Sequence, residues 1–171
     1  MAGRVLGSER FLRRVFVSLL LLGLAGHAAT LAAQNPCDDL VYRIEAAPEE
    51  AGAQAVPWWD GKSSRRLGPA FVEASGIRSA KLRPSRPFPG RFDLELSHKR
   101  NVGKQFGAAG NAHPGRQFAI VVGGVIVKVY PLPAKGSDMY QGGTSAGAFP
   151  KDVADRLLSE AEAAIDGCKG K

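Results

Sequence analysis

Between Gly115 and Leu132 the chain reads Gly-Arg-Gln-Phe-Ala-Ile-Val-Val-Gly-Gly-Val-Ile-Val-Lys-Val-Tyr-Pro-Leu. Two β-branched runs flank Gly123-Gly124, and such a link supplies the positive φ angles that a two-residue hairpin turn of the right twist requires. This pattern predicts a central hairpin. Phe118, Ile120 and Val122 fall on one face; Ala119 and Val121 on the other are also apolar, so both faces of the strand are expected to be covered. Leu40 to Glu45 alternates, with Leu40, Tyr42 and Ile44 on one side, and predicts a short first strand. Phe92-Asp93-Leu94-Glu95-Leu96-Ser97 predicts a half-buried strand, apolar inward and acidic outward, that pairs with the central hairpin.

Two segments carry helical spacing instead. Val102, Phe106 and Ala109 follow Asn101, a capping residue type, although Gly103 and Gly107 weaken the helix. Pro150 suits a first helical position and Asp152 the positive helix N-terminus, and Val153, Leu157, Ala161 and Ile165 form an inward stripe that stops at Gly167. Elsewhere the period is lost. Residues 46–67, with Pro48, Gly52, Pro57 and Gly61, read as a loop around Trp58-Trp59, a pair that either forms an exposed binding patch or folds back to cap the core. Residues 71–82 read as a turn of helix leading into a strand, and Pro84, Pro87, Pro89 and Gly90 as an extended connector. Gly142-Gly143 are expected to begin a last strand and Gly147 to turn it into the final helix.

Composition changes the picture at the N-terminus. Arg4, Arg10, Arg13 and Arg14 precede the apolar run Val15 to Ala25, which is followed by small residues, the layout of a secretory signal peptide with a mature start near Gln34. An uncleaved anchor is the alternative, although the run is marginal against the roughly 20 residues that span a bilayer. Removing residues 1–33 leaves 19 basic against 15 acidic residues, a formal charge of +4. Residues 62–135 hold 14 of those basic residues against Glu73, Asp93 and Glu95. Without interleaved aromatic residues, this asymmetry points away from nucleic acid and leaves anionic envelope polymers as a competing partner class. Cys37 and Cys168, the only cysteines, stand just before the first strand and just after the last helix. In an exported domain whose ends lie close together they are expected to form one disulfide.

With these elements in order, the chain resembles a known family. Gly115 opens a run through Ala119, Ile120 and Val121 to Gly124, an apolar strand reaches Pro131, and Gly142-Gly143 precede Gly147 and Phe149, which lead to Ala154 and Leu157. These landmarks resemble SecD and SecDF, and specifically the head subdomain of the first periplasmic domain of those Sec translocon accessory proteins. The resemblance covers roughly residues 67–165. It implies an α+β fold, an antiparallel sheet of about four to five strands with two helices packed on one face. It also implies a non-catalytic role in contact with translocated polypeptide. The domain organisation expected is a signal peptide at 1–33, an N-terminal strand and loop at 34–66, and the head-like domain at 67–171, periplasmic or secreted, with no stable membrane span after cleavage. The usual Asp before the turn glycine is absent, since Val122 and Gly123 stand there.

Catalytic chemistry has one string in its favour. Gly143-Thr144-Ser145-Ala146-Gly147 matches Gly-x-Ser-x-Gly, the nucleophile motif of patatin-like lipases, and makes a secreted serine hydrolase the competing hypothesis. That chemistry needs a strand, a sharp elbow and a helix, with a histidine in reach. No histidine follows Ser145, and His98 and His113 both lie upstream. His98, His113, Cys37 and Cys168 include no pair at metal-ligand spacing, and Gly142 to Gly147 lacks the Lys of a nucleotide loop. Neither cofactor nor metal is expected. Asp93 and Glu95 read as a solvated strand face. The expected partner is an unfolded or translocated polypeptide, or another envelope protein.

Overall fold

Strands that are apolar on both faces and strands that are apolar on one face sort into different sheets, because each needs a different number of covered sides. The computed structural model describes residues 36–134, Tyr140 and 142–169; the expected signal segment lies outside them. A 3-10 turn, Pro36–Asp39, leads into β1 (Leu40–Glu45), β2 (Gln54–Pro57) and β3 (Ser64–Glu73). A second 3-10 turn, Ala74–Gly76, precedes β4 (Ile77–Pro84) and β5 (Phe92–His98). Then follow α1 (Val102–Ala112), β6 (Gln117–Val122), β7 (Val125–Pro131), β8 (Gly143–Phe149) and α2 (Lys151–Gly167). The α+β class is as expected, but the described strands number eight and divide into a five-stranded and a three-stranded antiparallel sheet.

The five-stranded sheet runs β2-β3-β1-β6-β7. Its β6–β7 link is the predicted hairpin, with Gly123 at φ 56° and Gly124 at φ 75° and Val122 facing Val125. The sheet curls until its first and last strands meet. Trp58 bridges Ile126, and the Trp59 N–H donates to the Ile126 carbonyl at 3.0 Å. Inside the curl Val41, Val56, Leu67, Ala119, Val121 and Ile126 form a small closed core. The opposite face, with Leu40, Tyr42, Phe118, Ile120 and Val122, belongs to the main core. Both faces of β6 are thus buried, as its unbroken apolar run requires. Residues 46–67 are not all loop: β2 and the start of β3 lie there. With Val56 the only buried residue of β2, pairing with β3 and not periodicity makes this strand.

The three-stranded sheet runs β4-β5-β8. Strand β5 does not pair with the central hairpin as its position predicted. Its outward face carries Glu95, which pairs with Lys81 and Arg83 at the surface, so it joins β4 and β8, which also keep one face open. Inward, Leu94, Leu96, Ala146 and Phe149 meet Val102 and Phe106 of α1 and Ala154, Leu157 and Ala161 of α2 in the main core. Helix α2 packs against β4, β5 and the first 3-10 turn, and α1 against β3. The turn of helix expected within 71–82 is the 3-10 turn Ala74–Gly76, which follows the end of β3 at Glu73 and leads into β4 at Ile77.

Gly147 does not turn the chain into α2. Phe92 pairs with Phe149 and Leu94 with Ala146, so Gly147 and Ala148 together oppose Asp93 as a β-bulge. Asp93 Oδ1 accepts the Ala148 N–H at 2.9 Å, and Ala148 takes φ 65°. A Cβ on Gly147 would collide with the Asp93 carboxylate, which is why glycine stands there. Asp93 is therefore a structural acceptor and not a freely solvated acid. The turn into α2 falls at Pro150, its N-cap.

Cys37 and Cys168 form the expected disulfide, with their Cα atoms 5.4 Å apart and a sequence separation of 131. Both are buried, in the main core. The bond ties the 3-10 turn before β1 to the end of α2. By the chain-entropy estimate a bridge of this span stabilises the fold by up to about 5 kcal/mol. The Cys37→Ser/Cys168→Ser double variant is expected to unfold at markedly lower denaturant concentration than the oxidised protein, measured by urea titration with tryptophan fluorescence. Equal midpoints, or two free thiols by titration of the unreduced protein, would refute the clamp.

Candidate functional site

Two features could do chemistry or binding: a buried polar chain between the sheets, and an open strand edge at β4. The buried chain starts from Tyr42, which β1 points into the main core, where the ring is 0% exposed. Phe71, Phe106 and Phe118 surround it at centroid distances of 6.4, 6.0 and 5.7 Å. A phenol in such surroundings must keep its hydroxyl bonded. Its partners come from the other sheet: His98 Nε2, at the end of β5, at 2.8 Å, and Thr144 Oγ1 of β8 at 2.7 Å. His98 Nδ1 lies 2.6 Å from the Tyr140 carbonyl. A carbonyl only accepts, so Nδ1 carries the imidazole proton, and Nε2 accepts from the Tyr42 hydroxyl, which accepts in turn from Thr144.

Every polar atom of this chain is satisfied with a neutral imidazole. Burial pushes the Tyr42 phenol above its ordinary value, with a smaller opposing effect from the Thr144 hydrogen bond. It also lowers His98, against a weaker upward pull from the Tyr140 carbonyl. Above the chain, Glu95, Ser97, Tyr130, Tyr140, Gly143 and Ser145 line a shallow cleft of about 340 Å³.

Ser145 lies on the exposed side of β8, opposite Glu95 in the neighbouring strand. Gly143–Phe149 is one strand whose bulge at Gly147–Ala148 comes after Ser145, so the sharp elbow that would raise a nucleophile at a helix N-terminus is missing. His98 is committed to Tyr42 and Tyr140, and the Ser145 carbonyl accepts from the Tyr130 hydroxyl. Among the described residues no group of three or more His, Cys, Asp or Glu converges as a metal site.

Trp58 and Trp59 are both half-buried and point to opposite sides of the sheet closure. Trp59 packs edge-on against Phe149 at 5.3 Å, and Trp58 covers the small closed core with Arg65 5.9 Å from its ring. The sequence landmarks are spread through the framework. Ala119, Ile120, Val121, Phe149, Ala154 and Leu157 are buried. Gly115 and Gly124 sit in turns, Pro131 ends β7, Gly142 and Gly143 lead into β8, and Gly147 holds the bulge.

The open edge is at β4. The edge of β8 is partly closed by the Tyr130 hydroxyl, and the edges of β2 and β7 meet at Trp58. Strand β4 pairs only with β5, and the backbone groups on its far side bond nothing else among the described residues. Sequence periodicity missed this edge and the Tyr42–His98–Thr144 chain. One signal was present: His98 continues the inward positions Phe92, Leu94 and Leu96 of β5.

Since the native imidazole is held below its ordinary 6.5, the unfolded chain binds more protons as pH falls below that value. Stability from this site is complete above 6.5 and declines below it. Between about pH 7.5 and pH 5.5 the melting temperature is expected to fall, and His98→Gln, which can donate and accept at the same places, should flatten that fall. Parallel profiles for both proteins would show that His98 does not carry the dependence.

No family model matches this sequence, and no curated protein does. Among solved structures, a crystal structure of SecDF in its super-membrane-facing form superposes with a TM-score of 0.50 at 17% identity, over 75% of this chain. The match spans 18% of that SecDF chain. A second SecDF structure, described as a membrane component that enhances protein export, gives a TM-score of 0.49 at 14% identity, covering 98% of this chain and 76% of its own. No helix among the described residues is long and apolar enough to cross a membrane. The chain has a SecD-like fold, as the order of its sequence landmarks implied.

Proposed function

We propose that the protein is an exported, non-catalytic accessory module that binds extended polypeptide, translocated or resident in the envelope, by adding it as a strand to an open sheet edge. The observation that carries this proposal is the outer edge of β4, eight residues whose far-side backbone donors and acceptors have no partner among the described residues. An extended chain satisfies such groups one by one without regard to its side chains, which suits a binder of unfolded segments. Export is supported by the charged and then apolar N-terminal segment, and by a disulfide that needs an oxidising compartment to persist. The SecD-like fold fits the same role.

Immobilised protein is expected to retain a reduced, carboxymethylated polypeptide and to release its folded, oxidised form. Failure to retain any unfolded polypeptide or envelope component, with circular dichroism showing a folded protein, would sink the proposal. The hydrolase alternative is separated by a fluorophosphonate probe, which reacts only with an activated serine hydroxyl. With Ser145 in a strand and His98 committed to Tyr42 and Tyr140, no labelling is expected. Labelling abolished by Ser145→Ala would assign catalysis instead.

A further inference from the structure

The β4 edge has a definite charge and pattern. From Ala74 to Phe92 the sequence contains Arg78, Lys81, Arg83, Arg86 and Arg91 and no acidic residue. Lys81 and Arg83 point to the solvated face of the sheet with side chains 49% and 56% exposed, and they share one carboxylate, Glu95, at 3.4 and 2.8 Å. On the opposite face of the same strand, Ala80 and Leu82 are half-buried and pack on the main core. There a groove of about 360 Å³ runs between β4 and the end of α2, where Ala80 and Ile165 lie among the charged Arg78, Glu162, Asp166 and Lys169. Phe88, in the β4–β5 turn, is 55% exposed.

From this we infer that the β4 edge selects extended segments in which acidic and apolar residues alternate. The inference rests on the polypeptide-binding proposal and specifies its ligand. A strand added beside β4 places successive side chains on opposite faces. On the solvated face they lie next to Lys81 and Arg83, where two cations with one carboxylate between them favour Asp or Glu. On the other face they lie next to Ala80 and Leu82, half-buried against the main core, where an aliphatic side chain removes apolar surface from water. Cross-strand neighbours of this kind set pairing preference in sheets. A second copy is a poor occupant, because two β4 edges in contact would set like charges opposite one another. Register is limited by Pro84, which ends the strand.

The test uses the purified protein and a fluorescein-labelled peptide of alternating Glu and Val, read by anisotropy. This peptide is expected to bind at least about tenfold more tightly than one of alternating Lys and Val, since each cross-strand charge pair changes from attraction to repulsion. Lys81→Glu/Arg83→Glu should reverse the order of the two peptides, a gain that unfolding cannot produce. Backbone pairing is read separately with two versions of the Glu-Val peptide N-methylated on odd or on even residues. One should bind and the other not, because only alternate amides face β4. Equal binding of the acidic and basic peptides, no reversal in the double variant, or equal binding of the two methylated forms would overturn the inference. If the protein still retains the carboxymethylated polypeptide, polypeptide binding stands and only the acidic selectivity fails; if it retains none, binding itself is refuted.

Discussion

The hydroxyl of Tyr42 is the polar atom on which the joining of the two sheets depends. It belongs to β1, in the middle of the curled sheet, and is bonded to His98 and Thr144, on β5 and β8 of the other sheet. In a core of Phe71, Phe106 and Phe118 an unbonded phenol would be destabilising by roughly 1–3 kcal/mol. The sheets are therefore held at one distance and one register by a requirement that hydrophobic packing alone does not impose. Packing is tolerant of small slips; a hydrogen bond of 2.7 Å is not.

Around this tie the fold closes its vulnerable places with side chains. The curled sheet is sealed where Trp58 and Trp59 meet β7, one indole over the small closed core and the other against Phe149 of the second sheet. The two ends of the domain are sealed by the Cys37–Cys168 disulfide. The bulge at Gly147 and Ala148 is filled by Asp93. What is left open is β4, where arginine and lysine replace a covering element. Those cations keep the edge from pairing with itself while leaving its backbone available.

The Gly-x-Ser-x-Gly string shows how context decides chemistry. In a hydrolase the glycines permit a strained elbow. Here Gly143 starts an extended strand, Gly147 makes room for the Asp93 carboxylate, and Ser145 between them looks outward from a flat sheet. His98, buried near this strand, donates its only proton to a carbonyl and accepts from a phenol. Identical residue types at identical spacing serve packing when the strand bends only after the serine, at the Gly147–Ala148 bulge.

What the sequence determined by itself was local. The Gly123-Gly124 hairpin, the first strand, the strand at Phe92 and both helices follow from turn stereochemistry and from periods of two and of 3.6 residues, which neighbouring residues settle among themselves. The terminal disulfide was legible for a similar reason, since two cysteines bracketing one domain have only each other. Tertiary structure decided the rest. Strand β2 exists because β3 lies beside it, and β5 leaves the central hairpin because its acidic face needs water. Gly147 answers to Asp93 across a strand pair, and Tyr42 meets its two partners from 56 and 102 residues away. The open edge of β4 is equally a matter of what does not lie next to it. Pairings of this range depend on which faces are left to cover after the local elements have formed, and no window of sequence contains that information.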